Sequence, residues 1–538
     1  MFHVKNHKQG NILDPWGYLG PKRRDSLDNS WSGLFRKEIL PELPVDILRS
    51  HYHDWNGRPT KELHSMIGLM ILQQMHDFTD EEAVDQFRFN LKWHYALDIT
   101  DQSDNASYVS NKTLWTMRDK LSTEKAYNDI FDITLKRLAE IFKVDFSKQR
   151  IDSVHIQSNM RHLGRIGLFV KTIKNFLINL KRQQRVHFDK LSEDIVNRYL
   201  GKNTESLFAS VKPSDSSRTL DQMATDIHTF IDRFSSIEAI EGMSTFKHLV
   251  RLFNEQCLVE EADENTSEHK AVAKPNKDVP SDSLQNPSDP DAGYSGHKGQ
   301  GFQAQVVESY AGSEPEDSGE ETSPNLPLIT FVDVEPADKH DANALLPAIE
   351  ELRENDVKPN EILADSLYGS TSNCENALKD YDVEVVAPLM PGNQKFFHLS
   401  EFEFDEDGRV TLCPCGNKPQ SIKRTKKGFS VAFLLDTCLN CEKFDLCSVK
   451  KGSKACYYRY ADNDVKLAKR KCYEESSDFK NRYRYRAGVE ATMSEFDRRT
   501  GVKHLRVRGI KAVSFAVVMK AIGLNIFRAA RHRNVIFA

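Results

Sequence analysis

The 538-residue chain has no uninterrupted apolar run long enough to cross a bilayer. Its most apolar stretch, 509–537, carries Lys511 and Lys520, which fits a helix buried inside the fold better than a membrane span. Residues 1–9 lack the apolar centre of a signal peptide, so a cytoplasmic protein without a membrane partner is expected. Cysteine is scarce and odd in number. Nine cysteines cannot all close into a disulfide framework, and five of them crowd between Cys413 and Cys447, which suits reduced thiols and a metal site. Net charge is slight too, at -5. Spread evenly, that balance would argue against a polyanionic partner.

The charge is not spread evenly. Residues 466–533 hold eighteen Lys and Arg against six Asp and Glu, whereas 258–291 hold three against nine. A basic C-terminal region is what contact with a phosphate backbone requires, and a solvated basic surface is the plainer alternative. With 28% charged and 39% hydrophobic residues, the chain has enough apolar material for a well-buried core and about two to four domains.

Residues 1–145 read as an all-α domain. Leu63, Met66, Ile67, Met70 and Ile71 share one helical face, Thr79 with Glu82 predicts a capping box, and 110–121 predicts a short helix with its cations facing outward. In 146–390, β-prone segments at 150–156, 302–310, 326–334, 361–365 and 383–387, with a helix over 343–352, predict an α/β domain. Its mixed sheet would carry Asp152 on the first strand and Asp365 on the fourth. Two insertions interrupt it. Residues 161–260 predict a packed antiparallel helix pair, with Ile173, Phe176, Leu177 and Leu180 on one stripe and Phe230, Ile231 and Phe234 on another. The acidic stretch 260–290 reads as a disordered linker, and 313–321 as an acidic loop. Residues 391–465 form a small cysteine-rich insertion, and 466–538 supply C-terminal helices.

Three carboxylates draw attention. Asp152, in Arg150-Ile151-Asp152-Ser153-Val154-His155-Ile156, and Asp365, in Leu363-Ala364-Asp365-Ser366-Leu367-Tyr368-Gly369, stand among aliphatic residues. An ionised carboxylate there is costly to bury unless a cation compensates it, and a divalent metal is the usual compensator. His155 is expected to be structural. Glu490 lies in 483–499, read as one helix with Tyr483, Arg486 and Glu490 near one face and Val489, Met493 and Phe496 on a packing face. Taken alone, this is an exposed helix with intrahelical ion pairs. Taken with two strand aspartates, it is the third wall of a cation pocket.

In this order the carboxylates resemble the DDE transposases of bacterial insertion sequences. The 483–499 stretch is similar to that family's signature of Tyr, two residues, Arg, three residues, Glu, six residues, Lys. Tyr483, Arg486 and Glu490 match, and Asp497 stands in place of the Lys, followed by Arg498 and Arg499. Asp289-Pro290-Asp291-Ala292, Gly299-Gln300-Gly301-Phe302-Gln303-Ala304-Gln305-Val306 and the Ala-Asp-x-x-Tyr-Gly around Asp365 extend the resemblance. It implies a ribonuclease-H-like mixed sheet with flanking helices, and a nucleoid-associated enzyme that cuts and joins DNA at the ends of its own element by a two-metal mechanism. Asp152, Asp365 and Glu490 would be catalytic ligands of Mg2+ or Mn2+. Tyr483, Arg486, Arg498 and Arg499 would contact DNA. The partners implied are the terminal inverted repeats, gripped by the N-terminal domain, target DNA, and at least one further copy of the chain on that DNA. Asp497 is expected to turn away from phosphate and to pair with Arg498, Arg499 or a cation outside the helix. The rival readings are another ribonuclease-H-like nuclease and a domesticated DNA-binding protein without catalysis.

Cys413-Pro414-Cys415-Gly416, Cys438-x-x-Cys441 and Cys447 suit a small tetrahedral zinc knuckle with five cysteines for four positions, against the alternative of a metal-free thiol-rich loop. The resemblance assigns the structural Zn2+ to Cys413, Cys438, Cys441 and Cys447 and leaves Cys415 spare. Cys257, Cys374, Cys456 and Cys472 read as ordinary packed or surface thiols.

Overall fold

A computed structural model describes residues 1–9, 14–57, 59–123, 125–202, 204–260, 270–311, 326–390 and 396–536. The expected acidic loop at 313–321 and residues 261–269 of the expected linker lie outside the described residues. Eight strands precede the cysteine-rich region: β1 (Lys148–Gln157), β2 (Cys257–Glu260), β3 (Lys270–Ala273), β4 (Gly293–Ser295), β5 (Gly299–Ser309), β6 (Ile329–Pro336), β7 (Glu361–Leu363) and β8 (Glu384–Val386).

Six of them form a mixed sheet in the order β4-β5-β1-β7-β8, with β6 also paired to β5. β5 runs antiparallel to β1 and β6, while β7 and β8 run parallel to β1. Ile151, Val154 and Ile156 of β1 and Phe302, Ala304 and Val306 of β5 are buried, as the central pair of a sheet covered on both faces requires.

The terminal helix Ile510–Ile536 runs through the core beneath this sheet. Its stretch Ile510–Asn534 is long and apolar enough to cross a membrane, and 72% of its most apolar window is buried inside the protein. Its buried polar residues find partners inside the protein. Lys520 is buried against Asp77 at 2.8 Å and the Thr500 carbonyl. Asn525 pairs with both backbone groups of Ile329 at 2.8 Å, sealing the edge strand β6. The Asp-Pro-Asp-Ala motif starts this helix: Asp289 accepts from the Gly509 amide at 2.8 Å and Asp291 from the Ile510 amide at 2.9 Å.

Gly523 faces the helix Leu63–Met75, where an added Cβ would lie 2.7 Å from that of Met75. Two helices from opposite ends of the chain therefore touch backbone to backbone. Met66, Met70, Leu135, Ile151, Val306, Ile522 and Ile526 belong to one continuous buried cluster, so residue 145 does not separate two cores. The capping box forms, with Thr79 accepting from Glu82 at 3.2 Å and Glu82 from Thr79 at 2.8 Å. The helix Asn111–Thr123 differs in its cations. Arg118 turns inward to Asp80 and Gln73, and Lys120 lies 3.8 Å over the Tyr52 ring.

The helical insertion has its own core, built on Phe176, Phe230, Phe234 and Phe246. It is larger than the expected pair, with three long helices, Arg165–Gln183, Ser216–Phe234 and Ser244–Gln256. The linker expected through 290 is also corrected over its described part. β3 pairs with β2, Leu284 and Asp289 are fully buried, and the Leu284 amide donates to Glu255 at 2.7 Å. Of the acidic residues that suggested disorder, Asp289 is spent on the Gly509 amide.

After β8 come β9 (Glu403–Phe404), β10 (Val410–Leu412), β11 (Ser421–Thr425), β12 (Gly428–Leu434), β13 (Lys450–Lys451) and β14 (Ala455–Ala461). They form a two-stranded and a four-stranded sheet around Phe402, Val410, Val431, Phe433 and Tyr458.

Candidate active site

Parallel pairing of β1 with β7 matches Lys148 to Glu361 and Arg150 to Leu363. Continued by two residues, that register sets Asp152 beside Asp365, just past the C-terminal end of β7. Asp365 leaves the strand as the cap of a turn, its Oδ1 accepting from the Leu367 amide at 2.8 Å. Burial pushes the Asp152 carboxyl up, and the charges of Asp365 and Asp341 push in the same direction against the pull of Arg486 and the Ser153 amide.

Glu490 arrives on the helix Ala487–Thr500. The signature stretch is not one helix: Ser477–Tyr483 ends at the tyrosine, Arg484–Arg486 is a 3-10 turn, and the glutamate helix starts afresh. Arg150 of β1 marks the break, donating from Nη1 to the Tyr485 carbonyl at 2.6 Å. A Cβ on Gly488 would lie 2.0 Å from that same Nη1, so a larger residue there would have to displace the Arg150 guanidinium. Val489 and Phe496 are fully buried and Met493 nearly so, as their spacing predicts.

Arg486 ties the site together. It donates from Nη2 to Asp152 Oδ2 at 3.0 Å and from Nη1 to Glu490 Oε1 at 2.8 Å. Its Nε is buried without a hydrogen-bond partner. Tyr483 stacks on Phe479 at 5.2 Å, and its phenol is pushed up by burial and by the charges of Asp365 and Asp152, against Arg486. It therefore faces the same acidic pocket.

Past Glu490 the expected pairing changes. Asp497 does turn aside, but its Oδ1 accepts from the Lys503 amide at 3.1 Å, closing the turn after the helix instead of meeting a cation. Arg499 is spent on Glu495 at 3.0 Å and lies 5.2 Å over the Phe527 ring. Arg498 is exposed, with no ion pair among the described residues.

Asp341, Gln305, Tyr368 and the Arg150–Glu308 pair escaped sequence reading. Gln305 Nε2 donates to Asp341 Oδ1 at 2.9 Å, and the Tyr368 hydroxyl donates to Gln305 Oε1 at 2.5 Å. Tyr368 is fully buried, and its phenol is held far up by that burial and by Asp341, Asp152 and Asp365. The repeated Gln of the Gln303-Ala304-Gln305 segment was the available signal, since two amides on a buried strand demand partners. His155, on β1, has both ring nitrogens buried without hydrogen bonds, and burial and Lys298 push it down.

The cysteines converge separately. Cys413, Cys415, Cys438, Cys441 and Cys447 line a cavity of about 20 Å³, room for one ion or water. Cys415 Sγ lies 3.3 Å from Cys441 Sγ, so the residue read as spare reaches the cluster. Buried Cys456 adjoins Cys438, whose thiol burial pushes up to about 12.

Comparison with known families gives two matches. A family described as "Transposase domain (DUF772)" matches residues 35–120, and "Transposase DDE domain" matches 412–530, which takes in the cysteine cluster and the Glu490 helix. Neither match spans Asp152 or Asp365. No curated protein and no solved structure matches the chain. A transposase-domain match thus lies toward each end of the chain, and the second takes in Glu490 and Arg486, the arginine that bridges it to β1.

Proposed function

We propose that this protein cuts and joins DNA phosphodiesters at the ends of its own element, using Asp152, Asp365 and Glu490 on a ribonuclease-H-like sheet. The observation that supports the reading is the β1–β7 pairing, which runs as far as Arg150 and Leu363 and whose continuation by two residues would bring Asp152 and Asp365 together, along with the single guanidinium that joins Asp152 to Glu490. The sheet order and strand senses support it.

The donor set fits a divalent ion of the magnesium class: it is all oxygen and partly buried, and burial, with the charges of Asp365 and Asp341, raises Asp152. Asp152, Asp365 and Glu490 would hold the metal. Bound there, Mg2+ or Mn2+ supplies activation of the attacking hydroxyl and stabilisation of the leaving oxygen. The other work falls to side chains of the chain itself. Arg486 neutralises Asp152 and Glu490 at rest and lies one turn before Glu490, placed to exchange those carboxylates for a phosphate of the bound strand. Tyr483 donates its phenolic proton, held up by its setting, to a phosphate oxygen. Arg498 offers a free charge about two turns past Glu490, in the role the resemblance gave to a lysine. The basic 466–533 region extends this contact along the duplex, while the N-terminal helices hold the terminal repeats.

The chemistry of the cysteine cluster, five thiols lining one cavity, suits zinc. Burial and thiol neighbours raise Cys438 and Cys447, and a bound cation is what would hold such thiols as thiolates. Cys438, Cys441 and Cys447 with Cys413 or Cys415 would complete four ligands, and elemental analysis of protein purified without chelator should find that zinc.

The function is tested with a plasmid carrying the inverted repeats that should bracket the gene. Asp152→Asn, Asp365→Asn and Glu490→Gln should each reduce metal-dependent cleavage to background and leave DNA binding in place. A variant that cuts near the parental rate removes its residue from the site. Flanking DNA without inverted repeats would turn the reading toward a nuclease of another role.

A further inference from the structure

We propose that His7, Glu62 and His64 form a separate metal site, a two-histidine, one-carboxylate pocket that takes one divalent transition-metal ion of the zinc class and staples the N-terminal segment to the helical region. Among the described residues, these are the one group of three or more such side chains whose donor atoms all lie within 4.8 Å of one another. His7 Nε2 lies 3.4 Å from Glu62 Oε2, and His64 Nδ1 lies 3.1 Å from Glu62 Oε1. Nitrogen and oxygen donors about 2.0–2.2 Å from a tetrahedral zinc sit roughly 3.3 Å from one another, so the spacing already suits the ion.

A second observation points the same way. The His7 side chain is 2% exposed, and its Nε2 is buried with no hydrogen-bond partner despite the approach to Glu62. The nitrogen and the carboxylate are close but not aligned on each other. A desolvated ring nitrogen left in that state is destabilising, and an ion that it faces together with Glu62 and His64 satisfies it. The other nitrogen of the ring, Nδ1, lies 3.3 Å from Asp98 Oδ2, a carboxylate behind a ligating histidine that fixes its tautomer and orientation. Asp98 is itself neutralised by Lys5 at 2.8 Å and Arg36 at 2.9 Å, which leaves Glu62 as the negative ligand.

Glu62 is held firmly. It caps the helix Leu63–Met75 through the His64 amide at 3.2 Å and the Ser65 amide at 2.7 Å, with Ser65 Oγ and the Lys5 amide as further donors. Loading the site replaces its contacts with His64 Nδ1 and His7 Nε2 and leaves the backbone donors in place. With side chains 2%, 15% and 9% exposed, the three ligands leave no room for a substrate, so the ion's role is structural. It joins 1–9 to the start of the helix that packs against Gly523.

The experiment uses the full chain, stripped with chelator, reloaded with zinc and desalted, compared with His7→Ala and His64→Gln. Each variant should retain one equivalent of zinc fewer than the parent and lose part of the zinc-dependent rise in thermal midpoint. Reloaded with cobalt, parent and variants should share the same sulfur-to-cobalt absorption, because the cysteine cluster is untouched. His7 lies in the terminal segment, so its variant keeps the test open should His64→Gln fail to fold. Equal zinc content in parent and His7→Ala, or a parent in which every retained cobalt is sulfur-bound, overturns the proposal and leaves a capping carboxylate with two hydrogen-bonded histidines.

Discussion

Glu308→Gln should loosen the helix that carries Glu490 without touching the carboxylate pocket. Glu308, on β5, is fully buried. Its Oε1 accepts from Arg150 Nε at 2.7 Å, and its Oε2 from Thr492 Oγ1 at 2.6 Å and Arg528 Nη1 at 2.9 Å. One carboxylate thus binds β1, the glutamate helix and the terminal helix together. Glutamine keeps the shape but removes the charge and turns a donor toward another donor. Two nearly buried guanidiniums remain, with Glu495, 2.9 Å from Arg528, as the remaining carboxylate of that network. Breaking a buried pair by removing one partner costs about 3–5 kcal/mol. For a domain of this size, that is a fall of on the order of 10 °C in thermal midpoint. Differential scanning fluorimetry reads it, and Thr492→Val, which deletes one hydroxyl, should lose about 1–3 kcal/mol. Cleavage by Glu308→Gln should drop at temperatures where the protein is still folded, because Glu490 is no longer held to the sheet. A midpoint within about 2 °C of the parent, less than about 1 kcal/mol, would refute the argument that this network anchors the site.

Arg486→Ala should bind Mn2+ at least tenfold more tightly in DNA-free protein, a gain of about 1.4 kcal/mol, because a competing cation has gone; titration followed by electron paramagnetic resonance tests this, and weaker binding would show that Arg486 does not compete. Arg498→Ala should weaken DNA binding about two- to fivefold with a shallower salt dependence, whereas Arg499→Ala should act on stability, since Arg499 is committed to Glu495; equal binding defects in a filter assay would contradict that split. Burial pushes Asp132 up to about 6, against Lys136 and with Asp129, while Asn355 donates to it at 3.2 Å. Below about pH 4 the group is protonated folded and unfolded, and Asp132→Asn should change little. Between about pH 4 and 6 the unfolded chain ionises while the folded parent keeps its proton, so the variant should gain on the parent in thermal midpoint over that range and hold a constant lead to pH 8; a gain confined to below about pH 4 would reverse the sign of this assignment.

Local chemistry was legible in the sequence. The face of Leu63, Met66, Ile67 and Met70, the Thr79–Glu82 box, the strand around Asp152, the packing stripe of Val489, Met493 and Phe496 and the thiol cluster each follow from spacing within a few residues, where period and capping act. What depended on residues far apart was decided only by the tertiary structure. Nothing near Tyr485 announces that its carbonyl will meet Arg150 and break the signature helix, or that Asp497 will be used by the Lys503 amide. The acidic stretch before 290 resembles disorder until the Gly509 amide requires Asp289, at its end, as an acceptor, with Asp291 just beyond serving Ile510. A boundary at 145 looked natural while the terminal helix was a distant segment. Once Gly523 lies against Met75, the two ends share one core, because burial rewards contact regardless of separation along the chain while sequence patterns report only what is near.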